Sequence, residues 1–215
     1  MKKVLSFALI LLLLGCASDA KKNTANNAVA GQKDFMIVPG ERVGLITSAT
    51  TEAVLQELYG TQDIDIQSIS IAEGDTQEGV VLYPGTRNEL EIIWESAASE
   101  GTPAFVRIGK DSTEWHTPEG ITIGTTLEKL EDLNGKPFTF YGFEWDYGGL
   151  ITDWNDGKLS EYLIIALVPQ NFAKLTDDLL GEVQLSSDDP RVRALQAKVG
   201  SIVVTFRPPF ELQEN

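Results

Sequence analysis

The stretch Thr125-Thr126-Leu127-Glu128-Lys129-Leu130-Glu131-Asp132-Leu133-Asn134-Gly135 has an earlier counterpart in the chain, Thr50-Thr51-Glu52-Ala53-Val54-Leu55-Gln56-Glu57-Leu58-Tyr59-Gly60. Both stretches begin with two threonines, carry leucine at two matching positions and end with glycine, at an offset of 75 residues. A segment that recurs in this way indicates a repeated structural unit. The sequence therefore predicts two related halves.

Each of these stretches has the features of a short helix. A threonine can cap the N-terminus, and in the second stretch Thr125 and Glu128 have the spacing of a capping box. Gly60 and Gly135 suit the left-handed residue that ends a helix. The apolar positions fall on one helical face, which predicts packing against a sheet: Val54, Leu55 and Leu58 in the first copy, and Leu127, Leu130 and Leu133 in the second.

Eight segments with strand-like composition follow the two helices, four after each. They are separated by turn sequences such as Pro84-Gly85 and Asn155-Asp156-Gly157, which indicates antiparallel strands joined by short turns. The predicted strands are residues 66–71, 79–83, 89–94 and 104–108 in the first half, and residues 138–143, 148–154, 162–168 and 201–206 in the second.

The predicted fold class is α+β, with two tandem repeats of a helix and a four-stranded antiparallel sheet. The repeats are expected to form one sheet with the helices on one face. The body would span residues 35–210, with repeats at about 42–108 and 119–206. The second repeat contains a predicted helical insertion at about 170–199, with helices at residues 172–180 and 188–199 and Ser187 as the N-cap of the latter.

The N-terminus predicts export and lipid attachment. Lys2 and Lys3 precede an apolar run, residues 4–14, that is about half the length needed to cross a bilayer, as in a signal peptide. The following Leu13-Leu14-Gly15-Cys16 resembles the lipobox of bacterial lipoproteins. We therefore expect a signal peptide at residues 1–15, lipid on Cys16, and a flexible tether at residues 16–34, which are almost free of large apolar side chains.

Charge and cysteine content exclude several classes of protein. The net charge of −15 would repel nucleic acid and anionic lipid headgroups, so no nucleic-acid partner is expected and the lipid must provide the membrane contact. Cys16 is the only cysteine, so no internal disulfide can form. Ala17 and Ser18 lack the aspartate that retains enterobacterial lipoproteins in the inner membrane, which favours the outer membrane.

The second helix also carries a family resemblance. Residues 124–137 resemble the G-x-T-x-E-x-V/L-x-x-L-x-G-x-P signature of the small SmpA/OmlA-type outer-membrane lipoproteins and of the related β-lactamase-inhibitor-protein-like domains. The whole chain also resembles lipoproteins of Bacteroidetes-type bacteria, including the segment at residues 142–149. The resemblance implies protein binding through a sheet surface, without catalysis. The matching positions are Gly124, Thr126, Glu128, Leu130, Leu133, Gly135 and Pro137.

Catalytic and metal-binding patterns are weak in this sequence. His116 is the only histidine and lies in a polar segment, so neither a catalytic triad nor a zinc site is predicted, and no cofactor or metal is expected. Carboxylates are abundant near one predicted hairpin and leave open a glycosidase-like acid pair. The residues in question are Glu144, Asp146, Asp153 and Asp156.

An aromatic segment provides the candidate binding residues. Strand alternation from residue 138 onward would place Phe138 and Phe140 on one face and the following aromatic side chains on the other. Because tyrosine and tryptophan are enriched at interface hot spots, that second face is a candidate binding patch, and core packing is the alternative. The candidate partner-binding residues are Tyr141, Trp145, Tyr147 and Trp154.

The sequence as a whole favours a lipid-anchored cell-envelope protein that acts as a non-catalytic protein-binding or assembly module. Two alternatives stay open at this point. One is an envelope hydrolase that uses paired carboxylates, and the other is a carrier of a small or lipidic ligand. A deep cleft with two facing acids would favour the hydrolase, whereas a large apolar pocket between sheet and helices would favour the carrier.

Replacement of Cys16 by alanine tests the predicted anchor. Without the thiol no lipid can be attached, so the variant should leave the membrane fraction or stay unprocessed, while the native chain sediments with membranes. Fractionation and mass spectrometry of the N-terminus measure both results. A native chain whose mature N-terminus lies at another residue would contradict the prediction.

Overall fold

Twelve strands in three sheets and three α-helices make up the part of the chain that the computed structural model describes, residues 33–71, 73–95 and 101–208. The predicted signal peptide, Cys16 and all but the last two residues of the predicted tether lie outside the described residues. Within the described ranges, no helix combines the length and apolar character needed to cross a membrane.

The first half contains a small sheet, a helix and a long meander. Strands β1–β3 form a three-stranded sheet and are followed by α1 and then by four antiparallel strands, β4–β7. The elements are β1 (Ile37–Val38), β2 (Arg42–Val43), β3 (Ile46–Thr47), α1 (Glu52–Tyr59), β4 (Ile64–Ser70), β5 (Thr76–Leu82), β6 (Leu90–Trp94) and β7 (Pro103–Ile108).

The second half divides its strands between two sheets. Strands β10 and β12 continue the meander in the order β10-β12-β7-β6-β5-β4, whereas β8 and β9 join β11 in a separate sheet of order β11-β8-β9. The elements are α2 (Leu127–Asn134), β8 (Thr139–Tyr141), β9 (Ile151–Asp153), β10 (Leu163–Val168), β11 (Gln184–Ser186), α3 (Pro190–Arg193) and β12 (Lys198–Thr205).

The predicted fold class is therefore wrong. The described chain is mostly β, and its strands form three sheets in place of two helix-plus-four-strand repeats in one sheet. Each predicted strand has a counterpart, but two pairings differ from the expected ones. β12 pairs with β7 of the first half, and a single bridge, Leu150 to Ala166, connects β9 with β10. Beyond this bridge β9 and β10 are not paired, so the expected single sheet is divided at this point.

The predicted helical insertion at residues 170–199 is also wrong in its main part. Residues 172–180 form two short 3₁₀ turns, and β11 follows them. The later helix is only the four residues of α3, capped by the Asp189 carboxylate, which accepts the N–H of Arg191. Gln196 adopts a left-handed backbone (φ 53°), which excludes further helix, and β12 begins two residues later.

Ser187, predicted as a helix cap, connects distant elements instead. Its buried hydroxyl accepts the N–H of Phe138 and donates to a carboxylate oxygen of Glu131 at 2.7 Å. The other oxygen of Glu131 accepts from Arg193 at 2.7 Å. Through these bonds, Glu131 of α2 is connected to the start of β8, the end of β11 and α3.

Both predicted helices are confirmed, with two corrections to their caps. The N-caps are Thr51 and Thr126, whose hydroxyls accept N–H groups three residues later. The capping box of Thr125 with Glu128 is not formed, because Thr125 lies outside the helix and its hydroxyl accepts the N–H of Thr122. Of the terminal glycines, Gly135 adopts the predicted left-handed conformation, whereas Gly60 has a positive φ of 82° but a ψ of 149°, outside the left-handed region.

One hydrophobic core receives side chains from both halves. Leu55 of α1 and Leu130 of α2 are fully buried in the same cluster, with residues of all three sheets. Tyr59 at the end of α1 packs against this cluster, and its hydroxyl accepts the N–H of Leu45 at 2.9 Å. Burial raises the pKa of the Tyr59 phenol well above its usual range, so the neutral form is strongly favoured.

Asn134, the last residue of α2, holds the segment between β9 and β10 in place. Its side chain is 1% exposed. The amide nitrogen donates to the carbonyls of Lys136 (3.0 Å) and Trp154 (2.9 Å), and the amide oxygen accepts the N–H of Leu159 at 3.3 Å. The backbone carbonyl of Asn134 also accepts the N–H of Lys158. Both arms of the β9–β10 connection are thus bound to the end of α2.

Replacement of Asn134 by alanine should lower the free energy of unfolding by about 2–3 kcal/mol, because the half-buried carbonyl of Trp154 and N–H of Leu159 lose a partner. Urea unfolding measures the loss. Asn171→Ala is the matched control, since its amide makes one long bond of 3.4 Å at an exposed position, and it should change the stability by less than about 0.5 kcal/mol. Equal losses in the two variants would contradict this role for Asn134.

Candidate functional site

An open groove with a volume of about 980 Å³ lies between β9 and β10. Its size is at the upper end of the range of about 300–1,000 Å³ found for ligand pockets. One wall is formed by β9 and by Tyr141 of β8, and the other by the start of β10 and the residues before it. The lining residues are Tyr141, Leu150, Ile151, Thr152, Asp153, Trp154, Asp156, Gly157, Leu159, Ser160, Glu161, Tyr162, Leu163 and Ile164.

A tight turn closes one end of this groove. Asn155 and Asp156 both have left-handed φ values, 55° and 54°, and the N–H of Gly157 donates to the carbonyl of Trp154 at 3.0 Å. This is the turn type that favours hairpins, as the sequence predicted. Gly157 lies against α2, and a Cβ there would be 2.0 Å from the side-chain oxygen of Asn134. The turn therefore requires glycine at this position.

The two strands that this turn connects do not form a continuous hairpin. Regular pairing from the turn would place Leu150 opposite Glu161, but Leu150 is bridged to Ala166, five residues further on. At the bridge the backbones approach closely, since a Cβ on Gly149 would be 2.0 Å from the carbonyl oxygen of Leu167. The extra residues between the turn and the bridge form one wall of the groove and keep it open.

The groove carries negative charge. Among the described residues that line it, three are carboxylates and none is lysine or arginine: Asp153, Asp156 and Glu161. All three are exposed. Asp153 also shapes the turn, because its carboxylate accepts the N–H of Asn155 at 2.6 Å. This arrangement is suited to the attraction of a cationic group.

The four aromatic residues predicted as a binding patch lie in two places. Tyr141 and Trp154 line the groove, whereas Trp145 and Tyr147 lie outside its lining. Tyr147 is 37% exposed, and the other three are half-buried. Trp145 makes edge-to-face contacts with Tyr141 and Tyr147, with ring centroids 5.3 Å apart in each case. Tyr141 therefore connects the groove with a neighbouring aromatic cluster.

Strand alternation fails beyond Tyr141 because β8 ends there. Phe143, expected on the open face, is 3% exposed and contacts Phe140 with ring centroids 5.8 Å apart. The next residues form a turn in which Glu144 adopts a left-handed backbone (φ 62°) and the indole N–H of Trp145 donates to the carbonyl of Gly142. The aromatic cluster is thus part of a folded loop and not of a sheet face.

Sequence reasoning missed Tyr162 and Glu161, which complete the second wall of the groove. The ring of Tyr162 packs over the β1–β2 turn, where a Cβ on Gly40 would be 3.1 Å from the ring. This contact holds the tyrosine between the small sheet and the groove. The sequence does place Glu161 and Tyr162 directly before the apolar run of β10. It does not show that they face the residues of β8 and β9 across a groove, because those residues lie on other strands.

The structure separates the carboxylates considered as a catalytic pair. Asp153 and Asp156 line the groove, whereas Glu144 and Asp146 are exposed in the loop after β8 and do not line it. His116 is exposed, and its Nδ1 lies 2.7 Å from the carbonyl of Glu114. In the ranges that the structure describes, no group of three or more histidine, cysteine, aspartate or glutamate side chains could hold a metal ion.

Comparison with known proteins adds no further assignment to this site. No protein-family model, curated protein or solved structure matches the chain. The resemblance to SmpA/OmlA-type lipoproteins stays a prediction.

The two tryptophans should differ in their contribution to stability. Trp154 packs against the core and contacts Phe138, which is fully buried, with ring centroids 5.2 Å apart, so Trp154→Ala should cost about 2–3 kcal/mol. Among the aromatic residues that the structure describes, Trp145 contacts Tyr141 and Tyr147, so Trp145→Ala should cost about 1 kcal/mol. Urea unfolding compares them. A larger loss for Trp145 would contradict the division between core and cluster.

Proposed function

We propose that this chain is a lipid-anchored, non-catalytic protein-binding module of the cell envelope, and that its partner presents basic side chains to the β9–β10 groove. The observation that supports this proposal most is the composition of the groove. It combines three aromatic side chains, Tyr141, Trp154 and Tyr162, with three exposed carboxylates. Aromatic residues supply contact area at protein interfaces, and the carboxylates select the charge of the partner.

The proposed anchor and the groove have complementary roles. A lipid on Cys16 would hold the acidic body at a membrane surface that its net charge of −15 does not attract. The body would then be free to bind a partner in the aqueous space beside the membrane. Long-range attraction between the acidic body and a basic partner would increase the rate of association and make it sensitive to salt.

The groove favours a binding module over the carrier alternative. A carrier for a small or lipidic ligand needs an enclosed apolar cavity, in which most of the ligand surface is buried. The groove is open to solvent, and its lining includes the exposed carboxylates of Asp153, Asp156 and Glu161. Charged groups at these positions would be desolvated by a lipid chain without gaining a partner, which is costly.

The hydrolase alternative has one observation in its favour, because Asp153 and Asp156 lie in the same groove. The Asp153 carboxylate already accepts a backbone N–H in the turn, which gives it a structural role. Release of soluble fragments from cell-wall material by the purified chain, with loss of that activity in Asp153→Asn, would replace the binding proposal by this one.

Photo-crosslinking in intact membranes tests the proposed function. A diazirine-bearing amino acid at Thr152, exposed in the groove, should crosslink a discrete protein partner, whereas the same amino acid at Thr76, exposed on β5, should not. The crosslink should fall about tenfold when the groove is made neutral, because charge attraction is lost. The neutral variant combines Asp153→Asn, Asp156→Asn and Glu161→Gln, which preserve side-chain shape.

The control for this experiment removes the same amount of charge elsewhere. Three exposed acidic residues outside the groove lining are changed to their amides, and this variant should keep the crosslink from Thr152 at its native level. Equal losses in the two variants, or equal crosslinking from Thr76, would contradict a partner site in the groove. The control changes are Asp111→Asn, Glu119→Gln and Asp132→Asn.

A further inference from the structure

Two strand edges border the groove. β9 is the end strand of the β11-β8-β9 sheet, and β10 is the end strand of the six-stranded sheet. Among the described residues they are joined at one bridge, Leu150 to Ala166, where the N–H of Leu167 donates to the carbonyl of Gly149 at 2.8 Å. Beyond the bridge the two edges face a shared space that is lined by all of β9 and by the start of β10.

Exposed strand edges are sites where another chain can pair, because their backbone groups have no partner from a neighbouring strand. Proteins usually block such edges with short strands, bulges or charged residues. Here the groove walls carry apolar as well as charged side chains, including half-buried Leu159 and Ile164. Apolar side chains next to an end strand are suited to recognition of an extended peptide, whose backbone pairs while its side chains enter the groove.

We infer that the groove accepts an extended segment of a basic protein as an added strand between β9 and β10. This inference rests on the proposed function and specifies how the partner binds. The inserted strand would continue the pairing that stops after Leu150 and Ala166, and would join the two sheets that are divided in the structure. Its backbone would supply affinity, and its side chains would supply selectivity.

The chemistry of the groove defines the side chains of that segment. Successive side chains of a strand point to opposite faces, so alternate positions meet different surroundings. Those facing the groove interior would contact Tyr141, Trp154 and Tyr162 and should be apolar. Those facing outward would lie near the exposed carboxylates of Asp153, Asp156 and Glu161 and should be lysine or arginine. The partner segment therefore alternates basic and apolar residues.

The dimensions of the site limit the length of the bound segment. At about 3.4 Å per residue, the three residues of β9 extend about 10 Å, so three or four residues of the partner can pair with this edge. The turn at Trp154–Gly157 closes the groove beyond β9, so the residues that flank the paired ones would leave the groove on its open side. A peptide of about nine residues is enough to fill the groove with some excess at each end.

Binding of synthetic peptides to the full chain, purified in detergent, tests this inference. The probe is a fluorescent nine-residue peptide that alternates lysine and valine, and its affinity is measured by fluorescence anisotropy. We expect saturable binding by this peptide, and about tenfold weaker binding by the peptide with glutamate in place of lysine. A diazirine on the central valine should crosslink to residues within 150–164, as mapped by mass spectrometry.

Methylation of peptide nitrogens distinguishes strand insertion from other modes. In an inserted strand, one alternate set of N–H groups faces β9 and the other set faces β10. Methylation of either set should therefore weaken binding about tenfold, because each set loses hydrogen bonds to its edge. If methylation weakens binding for one set but not for the other, insertion between two edges is overturned. If affinity stays full when each set is methylated in turn, strand pairing is overturned altogether.

The remaining outcomes separate this inference from the proposed function. If the lysine–valine peptide does not bind, or crosslinks outside residues 150–164, the inference fails, while the crosslink from Thr152 in membranes still decides the proposed function. Saturable binding of neutral oligosaccharides in the groove, with none of the peptide, would overturn both proposals, because aromatic and carboxylate side chains would then serve a glycan.

Discussion

The hydrogen bonds of the Asn134 side chain are the constraint on which the region between the six-stranded sheet and the β11-β8-β9 sheet depends. Its amide binds the carbonyl of Trp154 on one arm of the β9–β10 connection and the N–H of Leu159 on the other. In a closed hairpin these two arms would pair with each other. The end of α2 binds both arms at the place where the strands diverge, and a groove remains open there between the edges of two sheets. Loss of a buried amide with three hydrogen-bond partners would also lower the free energy of unfolding, so these bonds stabilise the arrangement.

Local features of the sequence predicted elements well and their arrangement poorly. The two helices, their terminal glycines and the strand positions follow from capping chemistry, periodicity and turn residues, which act within a few positions of the chain. The choice of strand partners does not follow from these local features. β12 pairs with β7, more than ninety positions earlier, and β11 occupies part of the segment predicted as helical. These pairings depend on packing between distant segments, and the repeat of residues 50–60 and 125–135 did not extend to the sheets.

The candidate site could be predicted only in part, because its residues come from segments that are distant in the sequence. Tyr141 and Trp154 were chosen for their residue type, and both line the groove. Trp145 and Tyr147 were placed beside them by assuming a longer strand, but β8 ends at Tyr141 and the chain folds into a loop. The opposite wall, with Tyr162, is brought there by the long return of the chain from the turn to β10. A groove between separate strands cannot be recognised from one segment alone.

A crystal structure of the Asn134→Ala variant beside the native chain tests whether the Asn134 amide keeps the groove open. We expect the native chain to have β9 and β10 joined at Leu150 and Ala166, with the groove open. In the variant both sheets should be retained while residues 154–159 move, since neither arm is bound by the amide, and the groove should narrow or lose its defined shape. If residues 154–159 and the groove keep their native positions in the variant, the Asn134 amide does not hold this region in place.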